Sequence, residues 1–136
     1  MTSAERAKKQ RDVYIWNAIW RLGEIVDPYE KRDYEEKFPC ERALTIAEHI
    51  LRRRGIQRHN AIYDDCISDS FEVYLYTILR CAYMRYSHVE NYFRFMVKIV
   101  IIWNWSISRE LMEYCRKERL KLINIDSTAG YSVQKL

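Results

Sequence analysis

The sequence predicts an all-α protein, folded as a compact bundle of about four helices. The chain has 136 residues, 49% of them hydrophobic, which is enough to bury the core of one domain but hardly of two. It contains only three glycines and two prolines. A sandwich or a barrel needs many tight turns, whereas long helices need few such residues, so this composition favours helices.

Two helices are predicted in the first half of the chain. The first spans residues 4–25 and ends before Asp27-Pro28, because a proline inside a helix removes a backbone hydrogen bond. The charged, turn-rich residues 27–39 predict a connector with room for a short helical turn. The second helix spans residues 41–54, where apolar residues recur at helical spacing and Gly55 follows as a C-cap.

Two longer helices are predicted in the second half. The third has Asn60 as its N-cap and reaches about Tyr86, and the fourth runs from near Asn91 to about Lys121. The final residues, "NIDSTAGYSVQKL", show no periodicity, so we expect them to be loose. The chain then divides into an N-terminal helix with its charged connector, a helical domain and a flexible tail, at residues 1–39, 40–121 and 122–136.

The cysteines and the apolar segments predict a cytoplasmic protein without a metal, a cofactor or a membrane segment. No C-x-x-C pair and no cluster of histidines occurs, so neither a zinc site nor a disulfide framework is indicated for Cys40, Cys66, Cys81 and Cys115. The longest apolar run, residues 95–103, is interrupted by Lys98 and is too short to span a bilayer. We find no glycine-rich phosphate loop and no hydrolase motif, so no enzymatic activity is predicted.

Four acidic residues of the third predicted helix form a group that we call the acidic stripe: Asp64, Asp65, Asp69 and Glu72. No basic residue occurs in residues 61–79. Like charges four positions apart destabilise a helix by roughly 0.2–0.5 kcal/mol per pair, so another group is expected to neutralise the stripe. That group is either a basic partner or Lys and Arg residues of a neighbouring helix. A third interpretation, Mg²⁺ held with acids of the fourth helix, would make the protein a helical nucleotide hydrolase.

The segment "NYFRFMVKIVIIWNW", residues 91–105, interleaves aromatic side chains with basic and amide side chains. An inward stripe covers only about 100° of a helix or somewhat more, so some of these aromatics must be exposed or covered by another element. Exposed aromatics beside basic residues suit unstacked nucleic-acid bases, and each stacking interaction contributes about 1–3 kcal/mol. The alternative is a helix packed between others. Basic clusters at residues 51–59 and 116–121 are either phosphate contacts or solvated helix ends.

An acidic amphipathic helix followed by a short break and an aromatic, basic helix is the order found in region two of bacterial sigma factors, and residues 43–121 resemble it. The family pattern D-[DL]-[LV]-[IV]-Q-E-x-F is similar to "DDCISDSF", with Ser68 in place of the glutamine. Tyr92 and Phe95 match the spacing of the family's F-x-x-[YW] core. The chain looks most like the compact late-transcription sigma factors of T-even-type phages, since no helix-turn-helix follows Lys121.

The resemblance implies a transcription initiation factor that binds the β′ clamp helices of bacterial RNA polymerase and directs recognition and melting of a minus-ten-type promoter element, as in phage late genes. The acidic stripe would bind the polymerase. The residues that would bind DNA are Tyr92, Phe93, Arg94, Phe95, Lys98, Trp103, Asn104, Trp105 and Arg109. The implied partners are the polymerase core, promoter DNA and a separate co-activator in the host cytoplasm. A small helical adaptor or anti-host protein, binding a host factor through the acidic face without DNA contact, is the alternative.

Overall fold

The computed structural model describes residues 2–118, 120–126 and 130–135. In these residues, five α-helices lead into one antiparallel hairpin, in the order α1 (Ser3–Ile25), α2 (Pro28–Lys37), α3 (Cys40–Arg53), α4 (Tyr63–Met84), α5 (Val89–Lys117), β1 (Leu120–Asp126) and β2 (Gly130–Lys135). α4 packs against each of the other four helices. The prediction of an all-α bundle is confirmed, with five helices where the sequence predicts about four.

Side-chain caps set the starts of α1 and α2. Thr2 Oγ1 accepts a hydrogen bond from the Glu5 amide at 3.1 Å, and the Glu5 carboxylate accepts one from the Thr2 amide, which forms a capping box. Asp27 caps α2 by accepting a hydrogen bond from the Tyr29 amide at 2.8 Å, with proline at the first helical position. The predicted connector at residues 27–39 is therefore mostly a helix of 10 residues, longer than the single turn expected.

α3 ends close to where the sequence predicts, with Gly55 just beyond it. This glycine has a φ of +77°, a backbone conformation that L side chains rarely adopt. The Gly55 amide donates to the Arg52 carbonyl, and the Ile56 amide donates to the Leu51 carbonyl, both at 2.9 Å. Ile56 is buried in the core. The cap therefore anchors the loop that leads from α3 to α4.

α4 begins slightly later than predicted. Asn60 does not cap the helix itself, because its side-chain oxygen accepts a hydrogen bond from the Ile62 amide, at 3.1 Å, in the preceding turn. At the other end, Arg85 adopts the left-handed conformation, with a φ of +55°, and the helix stops there. α5 then begins at Val89 and continues unbroken for 29 residues.

An aromatic cluster of Phe38, Tyr74 and Phe93 lies in the core where the α2–α3 connection meets α4 and α5. The Phe93 ring centroid lies 5.4 Å from that of Phe38 and 6.2 Å from that of Tyr74. The Tyr74 hydroxyl donates to the Phe38 carbonyl at 2.7 Å, which satisfies a buried polar group. These contacts join the start of α3 to the centre of the bundle.

α1 lies against α4 and α5, so it shares the core of the helices that follow it. It buries two of its own residues, Ile15 and Leu22. The division of the chain at residue 39 therefore separates stretches of sequence that pack together. Among the described residues, no helix combines the length and the apolar character that crossing a bilayer requires.

The last described residues form a hairpin where the sequence predicts a loose tail at residues 122–136. β1 and β2 pair antiparallel, with Leu120 opposite Lys135 and Leu122 opposite Val133. The pairing satisfies the backbone groups of two short strands. Helical periodicity carries no signal for such a pairing, so that pattern does not predict the hairpin.

Candidate nucleic-acid and protein interfaces

One face of α5 is exposed along most of the helix, and we call it the α5 stripe. Its members recur every three or four positions, which places them on one side of the helix: Phe95, Lys98, Ile102, Trp105, Arg109, Met112 and Arg116. Phe95 is 61% exposed and Trp105 is 48% exposed. The stripe thus combines aromatic and apolar side chains with Lys98, Arg109 and Arg116, a combination that proteins use to bind single-stranded nucleic acids.

Two grooves flank Trp105, one toward each end of α5. The groove toward the C-terminal end has a volume of about 570 Å³ and is bordered by Asn60, Met112 and Arg116. The other has a volume of about 460 Å³ and is bordered by Arg54 from the end of α3. Trp105 and Arg109 line both grooves. A planar ring in either groove would meet an indole and a guanidinium group, both of which can stack on it.

The α5 stripe contains four of the nine predicted DNA-binding residues: Phe95, Lys98, Trp105 and Arg109. Tyr92 and Arg94 lie beside it and are partly buried. The Tyr92 ring packs against Tyr76, with 6.4 Å between ring centroids, and Arg94 Nε lies 3.3 Å from a carboxylate oxygen of Glu90. Both side chains are thus engaged within the fold.

The structure corrects three of the predicted DNA contacts. Phe93 is 1% exposed and Asn104 is 4% exposed, because both lie on the side of α5 that packs against α4. Neither can reach DNA in this fold. Trp103 is half-buried beneath the guanidinium group of Arg11, which lies 4.9 Å from its ring centroid. Its ring face is therefore occupied by α1.

Asp69 lies inside the fold, where α1, α4 and α5 meet, and is 7% exposed. Lys8 Nζ is 3.1 Å from its Oδ2 atom, and Asn104 Nδ2 donates to the same oxygen at 2.9 Å. Burial lowers the pKa of Lys8, but the charges of Asp69 and Asp12 outweigh it, so this pKa is raised and the ammonium group stays charged. The expectation of an external partner for the whole acidic stripe is therefore wrong for Asp69, and the neighbouring-helix alternative is correct there.

The remaining members of the acidic stripe, Asp64, Asp65 and Glu72, are partly exposed. None of them has an ion-pair partner among the side chains that the structure describes. Burial raises the pKa of Glu72, and the charges of Asp12 and Asp69 raise it further. Burial and Asp69 also raise the pKa of Asp65. The fold thus disfavours the ionised forms of Asp65 and Glu72, and a positive charge placed beside them would favour those forms.

Two exposed aromatic residues of α1 are not among the predicted site residues. Trp20 is 71% exposed and Trp16 is 42% exposed. The spacing of these two tryptophans in the sequence is the signal that could have indicated an exposed aromatic face. Trp16 and Trp20 are four positions apart and share one face, which is offset from Ile15 and Leu22, the two residues that α1 buries.

Comparison with models of protein families, with curated proteins and with solved structures finds no match to this chain. The resemblance to region two of sigma factors therefore stays a prediction. The exposed α5 stripe, the three unpaired carboxylates and the tryptophans of α1 are the features from which a function can be argued.

Proposed function

We propose that this protein is a sigma-like transcription initiation factor. It binds the core of a bacterial RNA polymerase through Asp64, Asp65 and Glu72, and it engages melted promoter DNA through the α5 stripe. It acts by binding, without chemistry of its own, in the bacterial cytoplasm. A minus-ten-type element of phage late genes is the promoter that the resemblance to the compact phage sigma factors suggests, with a co-activator as a further partner.

The observation that carries the DNA half of this proposal is the exposure of Trp105 between two grooves that Arg109 also lines. Stacking of a base on an exposed aromatic ring contributes about 1–3 kcal/mol and tolerates any sequence. Lys98 and Arg116 lie on the same stripe, where they can contact the phosphates of a strand that runs along the helix.

The polymerase half of the proposal rests on the unpaired carboxylates. Asp64, Asp65 and Glu72 lie in the first half of α4, and their negative charges suit a basic surface on a partner. Asp69 is not part of this group, because its charge is already matched by Lys8. The interface is therefore smaller than the four-residue stripe that the sequence predicts.

Promoter opening tests the DNA half. Trp105→Ala and Phe95→Ala should leave polymerase binding unchanged and reduce the permanganate reactivity of unpaired promoter thymines about tenfold, given the energy of base stacking. Tyr114→Ala is the matched control, since Tyr114 is a 50% exposed aromatic residue of α5 outside the stripe. Equal opening by all three variants and the wild type would refute the assignment of the stripe.

Copurification with core polymerase tests the docking half. Glu72→Lys with Asp64→Lys should abolish retention of the β and β′ subunits, because each substitution places a cation against a basic partner. Circular dichroism should show an unchanged helix content, since both side chains are partly exposed. Retention at the wild-type level would contradict the docking assignment.

The alternative function, an adaptor that binds a host protein without DNA, has one observation in its favour, the exposed Trp16 and Trp20 on α1. The two functions differ in their dependence on salt and on DNA. An adaptor should bind its partner equally with and without promoter DNA. Binding of the proposed sigma-like factor to single-stranded DNA should instead weaken steeply as salt is added.

A further inference from the structure

One face of α1 is exposed along the helix, and we call it the α1 tryptophan face. Its members alternate three and four positions apart, which is the spacing of the seam between two paired helices: Arg6, Lys9, Val13, Trp16, Trp20 and Gly23. Trp20 is 71% exposed and Val13 is 53% exposed. The face is turned away from Ile15 and Leu22, which α1 buries in the core. α1 therefore presents to solvent the pattern by which one helix packs against another.

Charge is divided between the two ends of this face. Arg6 and Lys9 lie near the start of the helix, and Glu24 lies beside the face in the last turn. The helix dipole disfavours cations near the start and an anion near the end, so these placements do not stabilise α1 itself. All three side chains are exposed, and none has an ion-pair partner in the part of the chain that the structure describes. Their charges are thus available to a second molecule.

A second copy of the chain is complementary to this face when the two α1 helices run antiparallel. If a twofold axis crosses the pair just after Trp16, Val13 of each copy lies opposite Trp20 of the other. The same register places Lys9 of each copy opposite Glu24 of the other. A parallel pair would instead bring Lys9 against Lys9 and Glu24 against Glu24, an arrangement that like-charge repulsion disfavours. The charges therefore select the antiparallel orientation.

Gly23 suits the same arrangement. It lies inside α1 and does not adopt a positive φ, so its backbone conformation does not require glycine. A Cβ atom built at this position meets nothing within 4 Å, so the packing of the chain does not require glycine either. Glycine weakens a helix relative to alanine. On a face that carries two tryptophans, a position without a side chain leaves room for the large side chains of a facing helix.

We propose that the protein forms a homodimer with twofold symmetry through an antiparallel pair of α1 helices. Trp16 and Trp20 of both copies form its centre, and Lys9 pairs with Glu24 at each end. Tryptophans in the centre of an interface are frequent hot spots, whereas charges at its edge determine orientation more than affinity. An interface made of one helix from each copy is small, so the dimer is in reversible equilibrium with the monomer. This inference does not depend on the proposed function.

Sedimentation equilibrium of the full-length chain tests the homodimer. The average mass should rise from that of one chain to that of two between about 1 and 500 µM, the range in which small interfaces dissociate. The variant Trp16→Ala/Trp20→Ala should raise the dissociation constant at least about tenfold, as expected for the loss of aromatic hot-spot residues. The matched control is Tyr14→Ala, because Tyr14 is a 67% exposed aromatic residue on nearly the opposite side of α1 from Trp16. The control should dimerise within about twofold of the wild type.

Charge reversal tests the antiparallel register. Lys9→Glu and Glu24→Lys should each raise the dissociation constant about fivefold or more at low ionic strength, because each turns two attractive pairs of the dimer into repulsive ones. The double variant Lys9→Glu/Glu24→Lys restores both pairs with the charges exchanged, so it should dimerise within about twofold of the wild type. Such a rescue is specific to pairing between two copies of the chain, since a different partner would keep its original charges.

Three results would overturn the inference. A mass of one chain at every concentration would refute the homodimer. Equal dissociation constants for the wild type and the double tryptophan variant would mean that dimerisation uses another surface. A double charge variant that dimerises no better than the single variants would refute the antiparallel register. Far-ultraviolet circular dichroism should show the same helix content in every variant, because the replaced side chains are exposed.

Discussion

At the scale of single residues, the contact between Lys8 and Asp69 determines what the acidic stripe can do. A carboxylate that is 7% exposed is costly unless it is paired and hydrogen-bonded. Lys8 supplies the charge and Asn104 supplies a further hydrogen bond. Asp69 thereby fastens α1 and α5 to α4, and it is a structural residue rather than a contact for a partner.

Lys8→Ala should lower the free energy of unfolding by about 2–4 kcal/mol, because it leaves the buried Asp69 carboxylate without its cation. Urea unfolding followed by circular dichroism measures this loss. The control is Lys9→Ala, which removes an exposed lysine from the next position of α1 and should change stability by less than about 0.5 kcal/mol. Equal stability of the two variants would show that the ion pair does not hold α1.

Glu72 gives a prediction about pH. Its pKa is raised in the fold above its ordinary value of 4.5, so the ionised carboxylate destabilises the folded state at neutral pH. This penalty is complete above the folded pKa and disappears as the pH falls below the unfolded pKa. Glu72→Gln should therefore raise the melting temperature at pH 7, by an amount that corresponds to about 0.5 kcal/mol or less because the side chain is partly solvated. The gain should shrink toward pH 4, and a gain that grew there would contradict the argument.

At the scale of elements, α3 shows what the sequence can determine. Its apolar residues have strict helical spacing and a glycine follows its basic last turn, so both its register and its end were predictable. The helix α2 was not predictable in this way, because none of its residues is buried and its sequence has no apolar pattern. The Asp27-Pro28 pair that follows α1 also begins α2, since Asp27 caps this helix and Pro28 is its first residue.

α5 shows why the candidate site was only half predictable. Aromatic and polar residues occur on both of its sides, so composition alone could not separate Phe95 from Phe93 or Trp105 from Asn104. The packing of α4 against α5 determines which of these residues are exposed, because it buries Phe93 and Asn104. The burial of Asp69 within the acidic stripe was not predictable either. Asp69 differs from its neighbours because it pairs with Lys8, which lies 61 positions away in the sequence.

The α5 stripe gives a prediction for the salt dependence of DNA binding. If Lys98 and Arg109 each neutralise one phosphate, the double variant Lys98→Ala/Arg109→Ala should reduce the slope of log K against log salt by about 1.4, given a slope of about 0.7 per contact for single strands. Fluorescence anisotropy with a labelled single-stranded oligonucleotide measures it. Lys9→Ala/Arg32→Ala removes the same charge from α1 and α2. An equal change in slope for both double variants would mean that net charge, and not the stripe, determines binding.

At the scale of the whole molecule, α1 is the least embedded of the three long helices. It buries two of its residues, whereas α4 buries twelve. Polar contacts supply much of what holds α1 in place: the Lys8–Asp69 pair, Arg11 over the Trp103 ring, and a hydrogen bond from the Ala4 amide to Glu110 at 3.1 Å. Regions with few buried apolar contacts open locally at a lower free energy than the core.

Native-state hydrogen exchange should therefore show different protection of the amides in α1 and in α4. Amides of α1 should show protection factors at least about tenfold lower than those in the middle of α4, which exchange only when the whole domain unfolds. In Lys8→Ala, exchange in α1 should quicken further by about tenfold or more relative to α4, since the variant weakens the contact that fastens this helix. Hydrogen exchange followed by mass spectrometry resolves the two helices separately.

The result bears on the proposed polymerase interface. α1 packs against the helix that carries Asp64, Asp65 and Glu72, so an α1 that opens alone would disturb this surface, and polymerase affinity should fall in Lys8→Ala together with the protection of α1. If α1 and α4 instead exchange at the same rate in the wild type, α1 unfolds only with the rest of the bundle. Lys8→Ala should then lower the stability of the whole protein without changing polymerase affinity under conditions where it is folded.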